Sequence, residues 1–150
     1  MKPETRLWKR MQPGIAPFCF AQRIENLVGE GVPDVVLHSR VSGHCAFVEL
    51  KCRLLMPVRE STTIFKGDYG LRPEQVAWIY GRAMAGANVW ILGQGGDWLV
   101  LVHGKHAREL ESMTADGLIQ VAGWYGAARK TDWKAMLEAV FRNILDKEEK

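Results

Sequence analysis

The chain has 150 residues, 47% hydrophobic and 25% charged, with a formal net charge of +3 and three cysteines. That composition fits one globular domain, large enough to bury a core without disulfides or a structural metal. No stretch nears the roughly 20 apolar residues of a membrane span, and Met1-Lys2-Pro3-Glu4-Thr5-Arg6 lacks an apolar signal-peptide core, so a cytosolic protein with no membrane partner is expected.

The mildly basic balance permits a polyanionic partner without requiring one. Cys19, Cys45 and Cys52 are widely spaced and contain no CxxC pair, so they read as reduced thiols.

In chain order, Leu7, Trp8 and Met11 stand at helical spacing between Glu4 and Gln12, which predicts a short helix ended by Pro13-Gly14. Phe18 to Ile24 is aromatic and partly alternating, as a strand is. Val35-Val36-Leu37 and Ala46 to Lys51 predict two further strands joined as a hairpin through a polar turn with Ser39, Ser42 and Gly43. Between Pro57 and Gly70 the pattern dissolves into a polar loop with little to bury, a place for contacts that respond to substrate. Pro73-Glu74 opens a helix running to about Ala85, with Gly86 as its stop. Asn88 to Leu92 and Trp98 to Val102 predict strands on either side of a turn-rich linker, Gly93 to Asp97, and Lys105 to Met113 a short helix. The last segment is the clearest periodic one. Trp133, Met136, Leu137, Val140, Phe141, Ile144 and Leu145 share a face, with Thr131 or Asp132 as N-cap, so a docking helix over about 132–147 seals a single domain. Helix, strands, helix, strands, helix predicts an α/β or α+β domain with a mixed central sheet.

The stretch with most chemistry is Gly31-Val32-Pro33-Asp34, followed fifteen positions after Asp34 by Glu49, in Glu49-Leu50-Lys51. Strand alternation puts Glu49 and Lys51 on one face and Leu50 on the other, and a hairpin partner starting at Asp34 brings a second carboxylate beside Glu49. Two carboxylates at one strand edge repel unless a cation lies between them, and hard oxygen ligands suit Mg²⁺ or Mn²⁺. Phosphodiester hydrolysis needs an acidified water and relief of charge on the phosphate. A carboxylate-bound divalent ion supplies both, with Lys51 orienting the water or neutralising the transition state. Glu49-x-Lys51 alone is the ordinary pattern of a solvated strand edge; Pro33-Asp34 upstream gives it meaning.

Pro33-Asp34 with Glu49-Leu50-Lys51 resembles the signature of the PD-(D/E)XK nucleases. Arg23-Ile24-Glu25-Asn26, Gly31-Val32-Pro33-Asp34-Val35, Phe47-Val48-Glu49-Leu50-Lys51 and Leu71-Arg72-Pro73-Glu74-Gln75 are similar to the VRR-NUC-like and phage Holliday-junction-resolvase-like branch, over roughly 4–92 and more faintly through Trp133. The resemblance implies a restriction-endonuclease-like fold with its mixed sheet flanked by helices. It further implies a metal held by Asp34, Glu49 and the carbonyl of Leu50, catalysis assisted by Lys51, and Gln75 facing the same site. An additional acid is expected from Glu4, Glu25 or Glu30, with Glu25 preferred because it lies in a well-matching stretch.

His38, His44, Cys45 and Cys52 have no compact zinc spacing. His103 and His106 read as an ordinary loop, and Gly93-Gln94-Gly95-Gly96 lacks the Gly-Lys-Ser/Thr ending of a phosphate loop. Arg53, Arg59, Lys66, Arg72 and Arg82 are candidate phosphate contacts, whereas Trp78, Trp90, Trp98, Trp124 and Trp133 fit core positions better than base stacking. The expectation is a Mg²⁺- or Mn²⁺-dependent, structure-selective DNA endonuclease acting on branched DNA as a homodimer, in the cytoplasm of a bacterium or phage-infected host. The alternatives are a catalytically silent nucleic-acid-binding module on the same fold, and a nuclease for flaps, ends or duplex DNA.

Overall fold

The computed structural model describes residues 2–24 and 31–148, with 142–148 by their backbone alone. Helix α1 spans Pro3–Ile15 and buries Leu7, Trp8, Met11 and Ile15 along one face. Strands β1 (Cys19–Arg23), β2 (Val35–Ser39) and β3 (Cys45–Arg53) follow, then helix α2 (Pro73–Met84) and strands β4 (Val89–Gly95) and β5 (Trp98–His103). A short helix α3 (Ala115–Val121), strand β6 (Trp124–Ala127) and helix α4 (Trp133–Glu148) complete the chain.

The strands form one sheet in the order β1-β2-β3-β4-β5-β6. Every neighbouring pair is antiparallel except β3 and β4, which run parallel. A parallel pair needs a long crossover, and the segment containing α2 supplies it. Strand alternation then sorts the core. Val35, Leu37, Val48, Leu50 and Leu92 meet α1 and α4 on one face, while Val89, Ile91, Val100 and Val102 meet Ile79 and Leu118 on the other. The mixed sheet flanked by helices, and the hairpin of β2 with β3, are as the sequence pattern predicts.

Several local expectations need correcting. Pro13 lies inside α1 rather than ending it: the helix runs on to bury Ile15, and Ala16 N still donates to Gln12 O at 3.2 Å. The segment 57–70 has more to bury than its polarity suggests, because Ile64 and Phe65 are each only 1% exposed. Gly93 to Gly95 are strand, leaving Gly96-Asp97 as the turn, with Gly96 at φ +57°. The glycines are there for space: a Cβ on Gly93 would lie 2.5 Å from the Phe65 ring, and one on Gly95 2.6 Å from Trp98. Lys105 to Met113 forms two 3-10 turns, Gly104–His106 and Leu110–Ser112, in place of one helix. Helix α3 and strand β6 were not expected. They are too short to show a period.

In α4, Met136, Leu137, Val140 and Phe141 are buried and Trp133 packs half-buried against them, while Ile144 and Leu145 lie outside the described side chains. Asp132 is the cap, its Oδ1 accepting from Ala135 N at 3.1 Å; the Thr131 hydroxyl turns instead to Ala127 O. Trp90 is buried, with Trp78, Trp98 and Trp124 packed half-buried against the two core faces. All three cysteines are free thiols, Cys45 exposed and the other two buried.

Candidate active site

The β2–β3 register pairs Val35 with Val48, so the next step outward sets Asp34 opposite Glu49. Glu49 and Lys51 share the face covered by α2, while Leu50 and Cys52 turn to the α1 face. The Asp34 carboxylate is anchored by the backbone, its Oδ2 accepting from Leu50 N at 3.1 Å.

Gln75 joins these residues to α2. It stands in the first turn, where its Oε1 accepts from Arg72 N at 2.9 Å and so satisfies an N-terminal donor that the helix leaves open. The same oxygen accepts from Lys51 Nζ at 3.2 Å. With Oε1 committed to two donors, Nε2 must face the other way, where it donates to Glu49 Oε1 at 3.3 Å. Gly31, the first residue of the motif, makes this junction possible. Its φ is +90°, and a Cβ there would lie 2.2 Å from the carbonyl oxygen of Glu74, so only glycine lets the approach to Asp34 pass against the start of α2.

Glu49 is 1% exposed, and its Oε2 is the one buried side-chain oxygen or nitrogen among the described residues with no hydrogen-bond partner. Burial pushes its carboxyl far above the ordinary carboxylate range, and the adjoining Asp34 pushes it further; Lys51 and Arg72 oppose this without prevailing. Without a cation, burial and mutual repulsion therefore favour one proton shared by the Asp34–Glu49 pair. An orphaned oxygen facing a second carboxylate is what a hard divalent cation would satisfy, so the residues fit such an ion. Among the described residues no group of three histidine, cysteine, aspartate or glutamate side chains is set to hold a metal. Two carboxylates, a backbone carbonyl and water would make up the ligand set, a pattern Mg²⁺ commonly accepts.

The structure thus brings Asp34, Glu49, Lys51 and Gln75 together. Glu25 and Glu30 lie outside the described residues. Glu4 acts on Cys52, on the opposite face of β3, and is not among the charges that shift Glu49. Of the candidate phosphate contacts, Arg72 is nearest by charge, and its guanidinium also pairs with Glu74 at 3.3 Å. Arg53 is occupied within the fold, over the Tyr69 ring and bonded to backbone carbonyls; Arg82 lies over Trp78. Arg59 and Lys66 are exposed.

His38 stacks on Phe20, His103 Nδ1 accepts from Lys105 N at 3.0 Å, and His106 pairs with Glu109. Phe65, which the pattern did not disclose, is buried on the sheet face that carries the site. Its ring covers Gly93, the register partner of Lys51.

No protein family and no curated protein matches the chain by sequence. Among solved structures it is similar to Hjc, a Holliday junction resolvase from Archaeoglobus fulgidus, at 14% identity and a TM-score of 0.52, over 77% of this chain and 92% of that one. A VRR_NUC domain is similar at 18% identity and a TM-score of 0.46, over 73% of this chain and 95% of the other. The fold, a mixed sheet flanked by helices, is restriction-endonuclease-like.

Proposed function

We propose that the chain is a single-domain, divalent-metal-dependent endonuclease that hydrolyses phosphodiester bonds in branched DNA, in the manner of a Holliday-junction resolvase. The observation that carries this reading is the orphaned Glu49 Oε2 facing Asp34, with Lys51 held beside it. Asp34, Glu49 and the Leu50 carbonyl would hold Mg²⁺ or Mn²⁺, which when bound supplies an acidified water and neutralises charge on the phosphate.

The chain's own residues do the rest. The proton shared by Asp34 and Glu49 would be displaced by a divalent ion held here, and Gln75 Nε2 fixes Glu49 Oε1 so that Oε2 is the oxygen left for the site. Lys51 Nζ, steadied by Gln75 Oε1, hydrogen-bonds the attacking water or a non-bridging phosphate oxygen without first having to be ordered. Arg72 adds positive charge on the same side. Symmetric cutting of a four-way junction calls for a two-fold dimer, which this reading includes. Its setting is the cytoplasm of a bacterium or phage-infected host. No helix among the described residues is long and apolar enough to cross a membrane.

The test is cleavage of labelled four-way junction, flap, duplex and single-stranded DNA with Mg²⁺, Mn²⁺ or EDTA, beside Asp34→Asn. Metal-dependent paired cuts at the junction that the variant cannot make are the expected result. Cutting confined to flaps, ends or duplex would change the substrate, and tight binding without cutting under any metal would make the chain a silent binding module.

A further inference from the structure

Beyond Lys51 the chain runs through Arg53 into Leu54-Leu55-Met56-Pro57-Val58, five apolar residues in succession. Three of them are not folded away: Leu54 is 44% exposed, Leu55 84%, and Val58 fully, while Met56 and Pro57 are half-buried. Large apolar side chains left bare this close together work against solubility and mark a contact surface.

The base of this loop is braced while its tip is bare. Arg53 Nε donates to Leu55 O at 3.0 Å, and its Nη1 reaches Thr63 O at 3.3 Å and Ile64 O at 3.2 Å, so one guanidinium ties both ends of the loop. That guanidinium lies 4.6 Å from the Tyr69 ring centroid. Gly96 N donates to Arg53 O at 2.8 Å, and Met56 packs on the Gly95-Gly96 turn so closely that a Cβ on Gly96 would lie 3.0 Å from Met56 Cγ. Leu55 and Val58 therefore project from a fixed platform.

Position identifies what the tip meets. Leu55 follows Lys51 by four residues, which reach at most about 14 Å, or about four base steps along a DNA strand. Arg59 and Lys66 flank the tip and Glu60 and Asp68 offset them, so charge alone does not choose the occupant; continuity with Lys51 does. Continuous duplex admits an apolar side chain only by unstacking a base step, at a cost of about a few kcal/mol. A branch point interrupts that stack and exposes base faces, which apolar wedges enter at far lower cost.

We propose that Leu55 and Val58 form an apolar wedge that enters the stacking gap of branched DNA beside the scissile phosphate and thereby selects branched over continuous DNA. The proposal rests on the nuclease reading above and adds the residues that make its choice of substrate.

The test compares wild type, Leu55→Ser/Val58→Ser and the conservative Leu55→Met on a four-way junction and a linear duplex of the same sequence. A junction with 2-aminopurine at the branch, bound in EDTA, reports unstacking without cutting. The double serine variant is expected to lower the ratio of junction to duplex cleavage about tenfold or more and to lose the fluorescence rise, while Leu55→Met keeps both. If wild type cuts DNA but the serine variant leaves ratio and fluorescence unchanged, or loses junction and duplex cleavage equally, the wedge is overturned and the nuclease reading stands. If wild type cuts nothing, the nuclease reading falls and the fluorescence arm decides the wedge: a rise lost in the serine variant supports it within a binding module, and no rise overturns it. Tip-dependent binding to lipid vesicles with no fluorescence rise on DNA also overturns it.

Discussion

Two buried polar side chains on neighbouring strands are treated in opposite ways. Gln94, 4% exposed on the α1 face of β4, is fully employed: Arg10 donates to its Oε1, and its Nε2 donates to Gly96 O at 2.8 Å. Glu49, 1% exposed on the α2 face of β3, keeps one oxygen unpartnered and a second carboxylate against it. Both are costly to bury. The first recovers that cost in stability, joining α1 to the turn after β4. The second offsets it only through a proton held between two carboxylates, and a demand met in that way marks a ligand position.

The sharpest way to break this contrast is to exchange consequences between the two faces. Asp34→Asn, Glu49→Gln and Lys51→Ala each are expected to lower metal-dependent cleavage by at least about a hundredfold with little change in melting temperature. Glu49→Gln is the most telling, because the amide resembles the protonated carboxyl that the fold already holds. A large loss of stability in that variant would make Glu49 structural like Gln94. Gln94→Ala is expected to do the reverse, removing the bonds to Arg10 and Gly96 O and reducing stability by about 1 kcal/mol in denaturant titration, with cleavage retained under folding conditions.

Gln75 belongs to both categories, and Gln75→Ala should show both effects in smaller measure. Releasing Lys51 is expected to lower turnover about tenfold, and losing the helix-start contact to cost about 1 kcal/mol. Turnover unchanged with stability lowered would reduce Gln75 to a helix cap.

The last effect is one of pH. Burial and Asp34 raise the Glu49 carboxyl, so at pH values where the unfolded carboxyls ionise the folded Asp34–Glu49 pair binds more protons. Metal-free stability should therefore fall as pH rises above the ordinary carboxyl range, by at most about 1.4 kcal/mol per unit for this group. Glu49→Gln should flatten that slope, and Mg²⁺ affinity should rise with pH because binding releases the proton. Denaturation and metal titration at several pH values measure both; a slope that the variant retains would place the proton elsewhere.

Legibility in the sequence divides along similar lines. Asp34, Glu49 and Lys51 can be grouped from the sequence alone because strand alternation and a hairpin settle their sides, and the Phe47-to-Lys51 strand carries a strong apolar pattern. Gln75 is implied only by resemblance, and its double hydrogen bonding is not readable, since it depends on how α2 meets the sheet. Phe65 is hidden because a two-residue apolar island in a polar loop has no period, and the glycine its ring covers, Gly93, imitates a turn. The apolar run after Arg53 stands in plain view but has no meaning until the fold leaves it bare.

The lone parallel pairing of β3 with β4 has a consequence for the order of assembly. The Asp34–Glu49 pair needs only a local hairpin, whereas the Gln75 contacts to Lys51 and Glu49 wait for α2 to dock, and the parallel pairing waits for β4 to close over the long crossover. Closing that loop is the slower, entropically costlier step. An unfinished chain would then carry the carboxylates but not the positioned lysine, so competence to cut DNA arrives with the long-range closure of the sheet rather than with its first hairpin.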